Sequence, residues 1–347
     1  MTRRRLATAI QLVIGFAVSG VCLVLAFQNV HLEELADALS RTNYWWLGPA
    51  ALGQLIALFA RARRWQVLLM NRAGFGELFW AQAIGFLGTN LFPLRAGEAA
   101  RVLVASRQTG LPLVQVGVSA VVERALDVAT ILCLLGSLLP LIHVPSAVLA
   151  AALPLGAALI AVALITLTLL LLGQRGEAAV GKLAGWLAGS RQRALAARWR
   201  ELMVGFHALR QPVAFAEALG WSALTWAVSV ATYWATIEAV VPGSSFVEPA
   251  FAVAVLSIGI SVPSSPGFVG VFQLVGQQAL AVPFPDRYTL TSALTIAILA
   301  NGVYYVLTTG VGMVGLLRLG LSLRAVRASS QIGAGGPAEA QASPSSG

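Results

Sequence analysis

Ala250-Phe-Ala-Val-Ala-Val-Leu-Ser-Ile-Gly-Ile-Ser-Val262 is an apolar run of 13 residues that ends on Pro263-Ser264-Ser265-Pro266-Gly267. At about 1.5 Å per helical residue it reaches only about 20 Å. The hydrocarbon core of a bilayer is about 30 Å thick. A second apolar piece, Phe268 to Val282, follows the break. An earlier stretch has the same form. Leu78–Phe92, 15 residues long, runs into Pro93-Leu94-Arg95. Broken helices at membrane depth are tolerated where protein buries them or where they line a polar cavity. Both regions therefore read as re-entrant helical hairpins, with their proline-bearing turns inside the bundle.

Composition sets the context. Of 347 residues, 58% are hydrophobic and 11% charged, against roughly 25% charged in a soluble domain. Six longer stretches read as full spans: Leu6–Phe27, Trp45–Ala60, Val114–Ile142, Ala147–Leu172, Phe215–Val241 and Leu290–Leu317. The first follows Arg3-Arg4-Arg5 and exceeds the h-region of a signal peptide, about 7–15 residues. The fold class is an all-α polytopic integral membrane protein of about six spans and two hairpins. A membrane domain over residues 1–327 is expected, then a disordered tail over 328–347, rich in Gly, Ser, Ala and Pro.

The net charge of +9 belongs to loops between spans, which points to anionic lipid headgroups and excludes nucleic acid as the expected partner. With both termini in the cytoplasm and both short regions re-entrant, the inner segments carry Arg3–Arg5, Arg61, Arg63, Arg64, Arg72, Arg107, the Arg175–Arg210 loop, Arg318, Arg324 and Arg327. Arg41 and Arg287 fall outside. That asymmetry fits a cytoplasmic (inner) membrane. The element order is then span, span, hairpin, span, twice over in opposite orientation, the pattern of an inverted repeat. The cytoplasmic segment Gln174–Gln211 holds seven Lys/Arg and two acids, with Trp186, Leu195, Trp199, Leu202 and Phe206. It reads either as an interfacial amphipathic helix or as a solvated basic loop that fixes topology.

Charge inside spans is costly and therefore informative. Arg95, Glu98 and Arg101 follow the first turn at i, i+3, i+6. Glu123-Arg124-Ala125-Leu126-Asp127 lies within the third span, its two acids at i, i+4. The six charges sum to zero. Either they close an ion-pair network that locks hairpin to span, or an arginine fork takes a lipid phosphate while the acids tune access. In the second hairpin, Pro263, Ser264, Ser265, Pro266, Gly267 and Gln273 place hydroxyls and irregular backbone at the turn. Asn90 and Pro93 do the same in the first. Gly312 and Gly315 read as helix packing. Cys22 and Cys133 sit in apolar segments, and His31, His143 and His207 have no ligand spacing. No disulfide, metal or other cofactor is expected.

The ordered set Arg64-Trp65…Leu68-Leu69, Asn90-x-x-Pro93-x-Arg95-x-Gly97-Glu98-x-x-Arg101, Glu123-Arg124-x-x-Asp127 and Pro263-x-x-Pro266-Gly267-x-x-Gly270 resembles the flippase-like membrane domain of lysylphosphatidylglycerol synthases. The resemblance covers roughly residues 6–320. It implies movement of lipids between leaflets, with the path at Asn90, Arg95, Glu98, Arg101, Glu123, Arg124, Asp127 and the second hairpin. The family motif often reads Pro-Gly-Gly with a closing Glu. Here Phe268 replaces the second Gly, and Gln273 stands in the acidic position. No soluble aminoacyl-transfer domain follows, so transport rather than catalysis is the expectation. The implied substrate is a phospholipid, aminoacyl-phospholipid or polyprenyl-type lipid with an anionic or zwitterionic headgroup. Two other readings stay open: a scaffold that docks a separate lipid-modifying enzyme, and an intramembrane headgroup enzyme with Glu123 or Asp127 as base. A homo-oligomer is compatible with either.

Overall fold

A computed structural model describes residues 3–92, 96–142, 157, 161, 207–261 and 264–322, with backbone alone for 3–12, 96 and 207. The expected span Ala147–Leu172 apart from residues 157 and 161, the basic segment Gln174–Gln211 up to residue 206, the tail 328–347, and Pro93, Arg95 and Pro263 lie outside the described residues. Among the described residues the regular structure is helical throughout. In chain order the helices are α1 (Arg3–Phe27), α2 (Leu32–Ser40), α3 (Leu47–Leu68), α4 (Phe75–Leu91), α5 (Ala96–Thr109), α6 (Leu113–Leu138), α7 (His207–Arg210), α8 (Pro212–Val240), α9 (Val247–Gly259), α10 (Val271–Ala281) and α11 (Leu290–Arg318).

The helices leave large apolar side chains outward. Val13 and Phe16 on α1, Leu52 on α3 and Leu317 on α11 are all exposed, Leu317 at 80%. Apolar surface of this kind needs lipid rather than water. Among the described residues two helices, α8 and α11, are long and apolar enough to cross a membrane singly, and α1 with α2, bent by 82°, makes a third span if the pair is taken as one. Length and composition do not confirm the expected count of six spans. The remaining long helices fall short because of their charges. α6 holds Glu123, Arg124 and Asp127. α3 runs past Ala60, where the sequence reading ended it, through Arg61, Arg63 and Arg64 to Leu68.

The chain divides into two compact units. The first comprises Met1–Ile56, Trp80–Leu103 and Val228–Gly347. Here α11 is the common support. Gly312 packs against Ala83 and Leu87 of α4, and Gly315 packs against Trp80 and Ile84, so the Gly312/Gly315 pair serves helix packing as expected. Towards the other end, Ala297 packs on Gly276 of α10. Gln277 on α10 donates to the carbonyls of Ala26 and Leu290 at 3.0 and 3.1 Å.

Both broken regions form helical hairpins. α4 and α5 approach so closely that a Cβ at Gly97 would collide with the carbonyl of Gly85, and one at Gly85 would lie 2.7 Å from the Arg101 Cβ. α9 and α10 meet where a Cβ at Gly259 would lie 2.7 Å from Val275 Cγ1. Small residues at these crossings let the backbones approach.

The second unit comprises Ala57–Phe79 and Val104–Ala227. Its core joins Val67 and Leu68 of α3, Val122 and Leu126 of α6, Ala208 of α7 and Ala218 of α8. Trp65, fully buried, donates its indole N–H to Ser119 Oγ at 2.9 Å.

Candidate functional site

In the first unit the two hairpin turns reach neighbouring positions on α11. Asn90, in the last turn of α4, donates through Nδ2 to Thr308 Oγ1 at 2.8 Å and Thr309 Oγ1 at 3.0 Å. Gly267, in the turn before α10, lies against the Tyr305 ring, with the Asn90 carbonyl oxygen 3.9 Å from where its Cβ would stand. Tyr305 and Thr308 are three residues apart and share one helical face. The first hairpin therefore comes along α11 from Gly315 towards Thr308, and the second from Ala297 towards Tyr305. The last turn of α4 and the turn before α10 meet between.

The second turn is built from backbone and small side chains. Gly267, Phe268 and Gly270 all have positive φ, at 69°, 59° and 92°. Ser265 N–H donates to Ser19 Oγ of α1 at 2.8 Å, and Ser265 Oγ donates to the Val269 carbonyl at 3.0 Å. Gly15 and Gly270 let α1 lie against the Ser264 backbone and the Gly270 turn, where side chains would clash. Gln273 Oε1 accepts from Gly270 N–H at 2.7 Å, so it caps the start of α10. Pro266 opens the short 3₁₀ turn Pro266–Phe268.

On the first hairpin, Arg101 is 2% exposed. Its Nε donates to Glu98 at 2.8 Å and its Nη1 to Gln82 of α4 at 2.6 Å. Gln82 is a site residue that the sequence reading missed; one glutamine in an apolar helix was its only signal.

The second unit holds the other charged cluster. Arg64 of α3 and Glu123 of α6 have no exposed surface. Arg64 Nη2 donates to Glu123 Oε1 at 2.9 Å, and Nη1 donates to Asp127 Oδ1 at 2.7 Å and Ser222 Oγ at 3.1 Å. Trp226 Nε1 reaches Asp127 Oδ1 at 3.3 Å, and Arg124 reaches Asp127 Oδ2 at 3.4 Å. Arg61 lies within Coulombic range of both acids. The cation between Glu123 and Asp127 is Arg64, which the sequence places in an inner segment and outside the six-charge set. The physical reason is register. In a helix that continues past Ala60, Arg61, Arg64 and Leu68 fall at i, i+3, i+7 on one face, turned to α6. Arg63 points elsewhere, over the rings of Phe75 and Trp221 at 5.6 and 5.9 Å.

Of the sequence-derived site residues, the first unit holds Asn90, Glu98, Arg101, Ser264, Ser265, Pro266, Gly267 and Gln273. The second holds Glu123, Arg124 and Asp127.

A sequence model described as the lysylphosphatidylglycerol synthase TM region matches residues 12–312. The chain belongs to this family. No curated protein matches it. Membership in the lysylphosphatidylglycerol synthase TM region family, together with the apolar exterior, makes this a membrane protein with a lipid-related function. Against the family's Pro-Gly-Gly pattern, the Phe268 position has the backbone that glycine favours, φ 59°. Gln273 fills the acidic position with a neutral cap.

Proposed function

We propose that this protein is a lipid translocase of a bacterial-type cytoplasmic membrane, with both termini in the cytoplasm. It carries a phospholipid, aminoacyl-phospholipid or polyprenyl-type lipid between leaflets. The observation that carries this reading is the convergence of two hairpin turns on α11, with Asn90 on Thr308 and Thr309 and Gly267 on Tyr305. Hairpins entering from opposite ends of one helix suit an inverted-repeat transporter, in which a midplane site opens to either side by rocking of one repeat. The turns supply hydroxyls, amides and carbonyls within an apolar bundle, so a headgroup can shed water stepwise. Arg95 and Arg101 provide cations for its phosphate.

The intramembrane-base alternative is less well supported. Asp127 already accepts from Arg64, Trp226 and Arg124, and Glu123 from Arg64. A general base must face its substrate proton within hydrogen-bond reach.

The test is reconstitution of the full chain with fluorescent lipids of several headgroup classes and a leaflet-selective quencher. Wild type is expected to move at least one class faster than empty vesicles, with Arg95→Ala and Thr308→Val slower. Rates equal to empty vesicles for every class would overturn the proposal.

A further inference from the structure

Two buried amide oxygens, on α4 and α11, have no donor among the described residues. Asn90 is 1% exposed and Asn301 is 4% exposed. The Oδ1 of each accepts no hydrogen bond from the described residues. A buried acceptor left in this state is costly, so a pair of them calls for a ligand.

The orientation of the Asn90 amide follows from its neighbours. Thr308 Oγ1 gives its one proton to the Tyr304 carbonyl at 2.7 Å. It can therefore only accept from Asn90, and the amide nitrogen must face it. Oδ1 is therefore not the atom that faces Thr308. Asn301 lies on the face of α11 that meets the second hairpin, because Ala297 and Tyr305, four residues to either side, contact Gly276 and Gly267. From Asn301 to Thr308 is about 10 Å along the helix at 1.5 Å per residue.

The local field selects the sign of the ligand. α4 ends at Leu91 and α9 at Gly259, so two half-helices bring the negative ends of their dipoles to the turns. The positive ends are already answered. Gln273 caps the Gly270 N–H before α10, and the first turn of α5 carries Glu98. Carbonyl oxygens at broken-helix ends are ligands for alkali cations.

We propose that a small inorganic monovalent cation binds along this face, with Asn301 Oδ1 and Asn90 Oδ1 as ligands at two successive positions. The burial of both residues favours a bare ion over a lipid ammonium group. The inference does not depend on lipid movement, because it concerns binding alone.

The test uses the purified full chain in detergent. Its thermal midpoint is measured in NaCl, KCl and N-methylglucamine chloride at equal ionic strength. A specific ligand stabilises the folded form in proportion to its occupancy. NaCl or KCl is expected to raise the midpoint saturably by several degrees over N-methylglucamine. Asn301→Leu should weaken that rise. Asn90→Asp, which adds a negative charge at the same atom position, should tighten apparent affinity about tenfold. Asn90→Leu should abolish the rise. Because both Asn90 variants also remove the N–H donors to Thr308 and Thr309, Asn301→Leu carries the test if they fail to fold. Phosphatidylethanolamine added to the N-methylglucamine sample separates the two sources of positive charge. Stabilisation there, with none from NaCl or KCl, would assign the oxygens to a headgroup ammonium and overturn the inorganic-cation proposal. Equal midpoints in all three salts would overturn it as well.

Discussion

Arg64 donates to Asp127 at 2.7 Å inside the second unit, and the same guanidinium holds Glu123 at 2.9 Å. Neither Arg64 nor Glu123 has exposed surface. In such a place the two sides of the pair are unequal in their consequences. Forming it gives little net stability, because desolvation offsets attraction, but removing one member leaves a buried charge. Arg64→Ala should therefore cost about 3–5 kcal/mol, read as a lowered thermal midpoint in detergent. Arg64→Lys should fall between wild type and Arg64→Ala. An ammonium keeps the charge but lacks the planar fork that reaches Glu123, Asp127 and Ser222 together. A Lys variant equal to wild type would show that charge alone, and not the fork, holds α3 to α6.

The first hairpin gives a sharper steric prediction. A methyl group at Gly97 has no space, because the carbonyl of Gly85 and the backbone N of Thr89 occupy it. The obstacle is backbone, so rotamer changes cannot relieve it. Gly97→Ala should separate α4 from α5 and break the Arg101–Gln82 bond, giving little monodisperse protein on size-exclusion chromatography. Gly302→Ala is the control. Nothing stands within 4 Å of its Cβ position, and alanine is the better helix former by about 1 kcal/mol. It should elute as wild type and melt no lower.

The breaks that separate α4 from α5 and α9 from α10 were legible because their signals are covalent. Pro93, Pro263 and Pro266 interrupt apolar runs too short to cross, and no tertiary context is needed to see that. The Gly312/Gly315 pair was legible for a similar reason, since glycine in an apolar helix has few other uses. Arg64 was not. Within Arg61-Ala-Arg-Arg64 it looks like any positive cluster at a membrane edge, and only the register of a helix continued to Leu68 turns it towards Glu123. Its place in the Arg64-Trp65 motif was the available sign. Gln82 was missed for a different reason: its role exists only through Arg101, 19 positions away. Asn301 carries no pattern in sequence at all. Its position becomes meaningful once Ala297 and Tyr305 are seen against the second hairpin.

Phe268 offers a test of backbone conformation. Its φ of 59° lies in the left-handed region, which costs an ordinary residue about 1–2 kcal/mol. The side chain is nevertheless 7% exposed, and its burial contributes about 1.5–3 kcal/mol. Phe268→Ala should lose the burial and keep the strain. Phe268→Gly should lose the same burial and relieve the strain. Glycine is thus expected to be the milder substitution by about 1 kcal/mol, the reverse of the order at a helix interior. Thermal melts of the two variants decide it, and alanine melting at or above glycine would contradict the left-handed assignment.

Gln273 occupies the position where the family pattern often has an acid, yet its measurable task here is structural. Its Oε1 accepts the Gly270 N–H at 2.7 Å, tying the turn to the first turn of α10. Gln273→Ala removes that acceptor and should cost about 1 kcal/mol, the usual scale for a lost N-terminal cap. Gln273→Glu keeps an acceptor at the same reach and places it at the positive end of α10. If capping is the whole role, Glu should melt close to wild type, and transport by the two proteins should match across pH. If Gln273→Glu instead acquires a pH-dependent rate that wild type lacks, the carboxylate found elsewhere in the family does more than cap. Wild type would then be the form in which that proton-linked step has been removed by one amide.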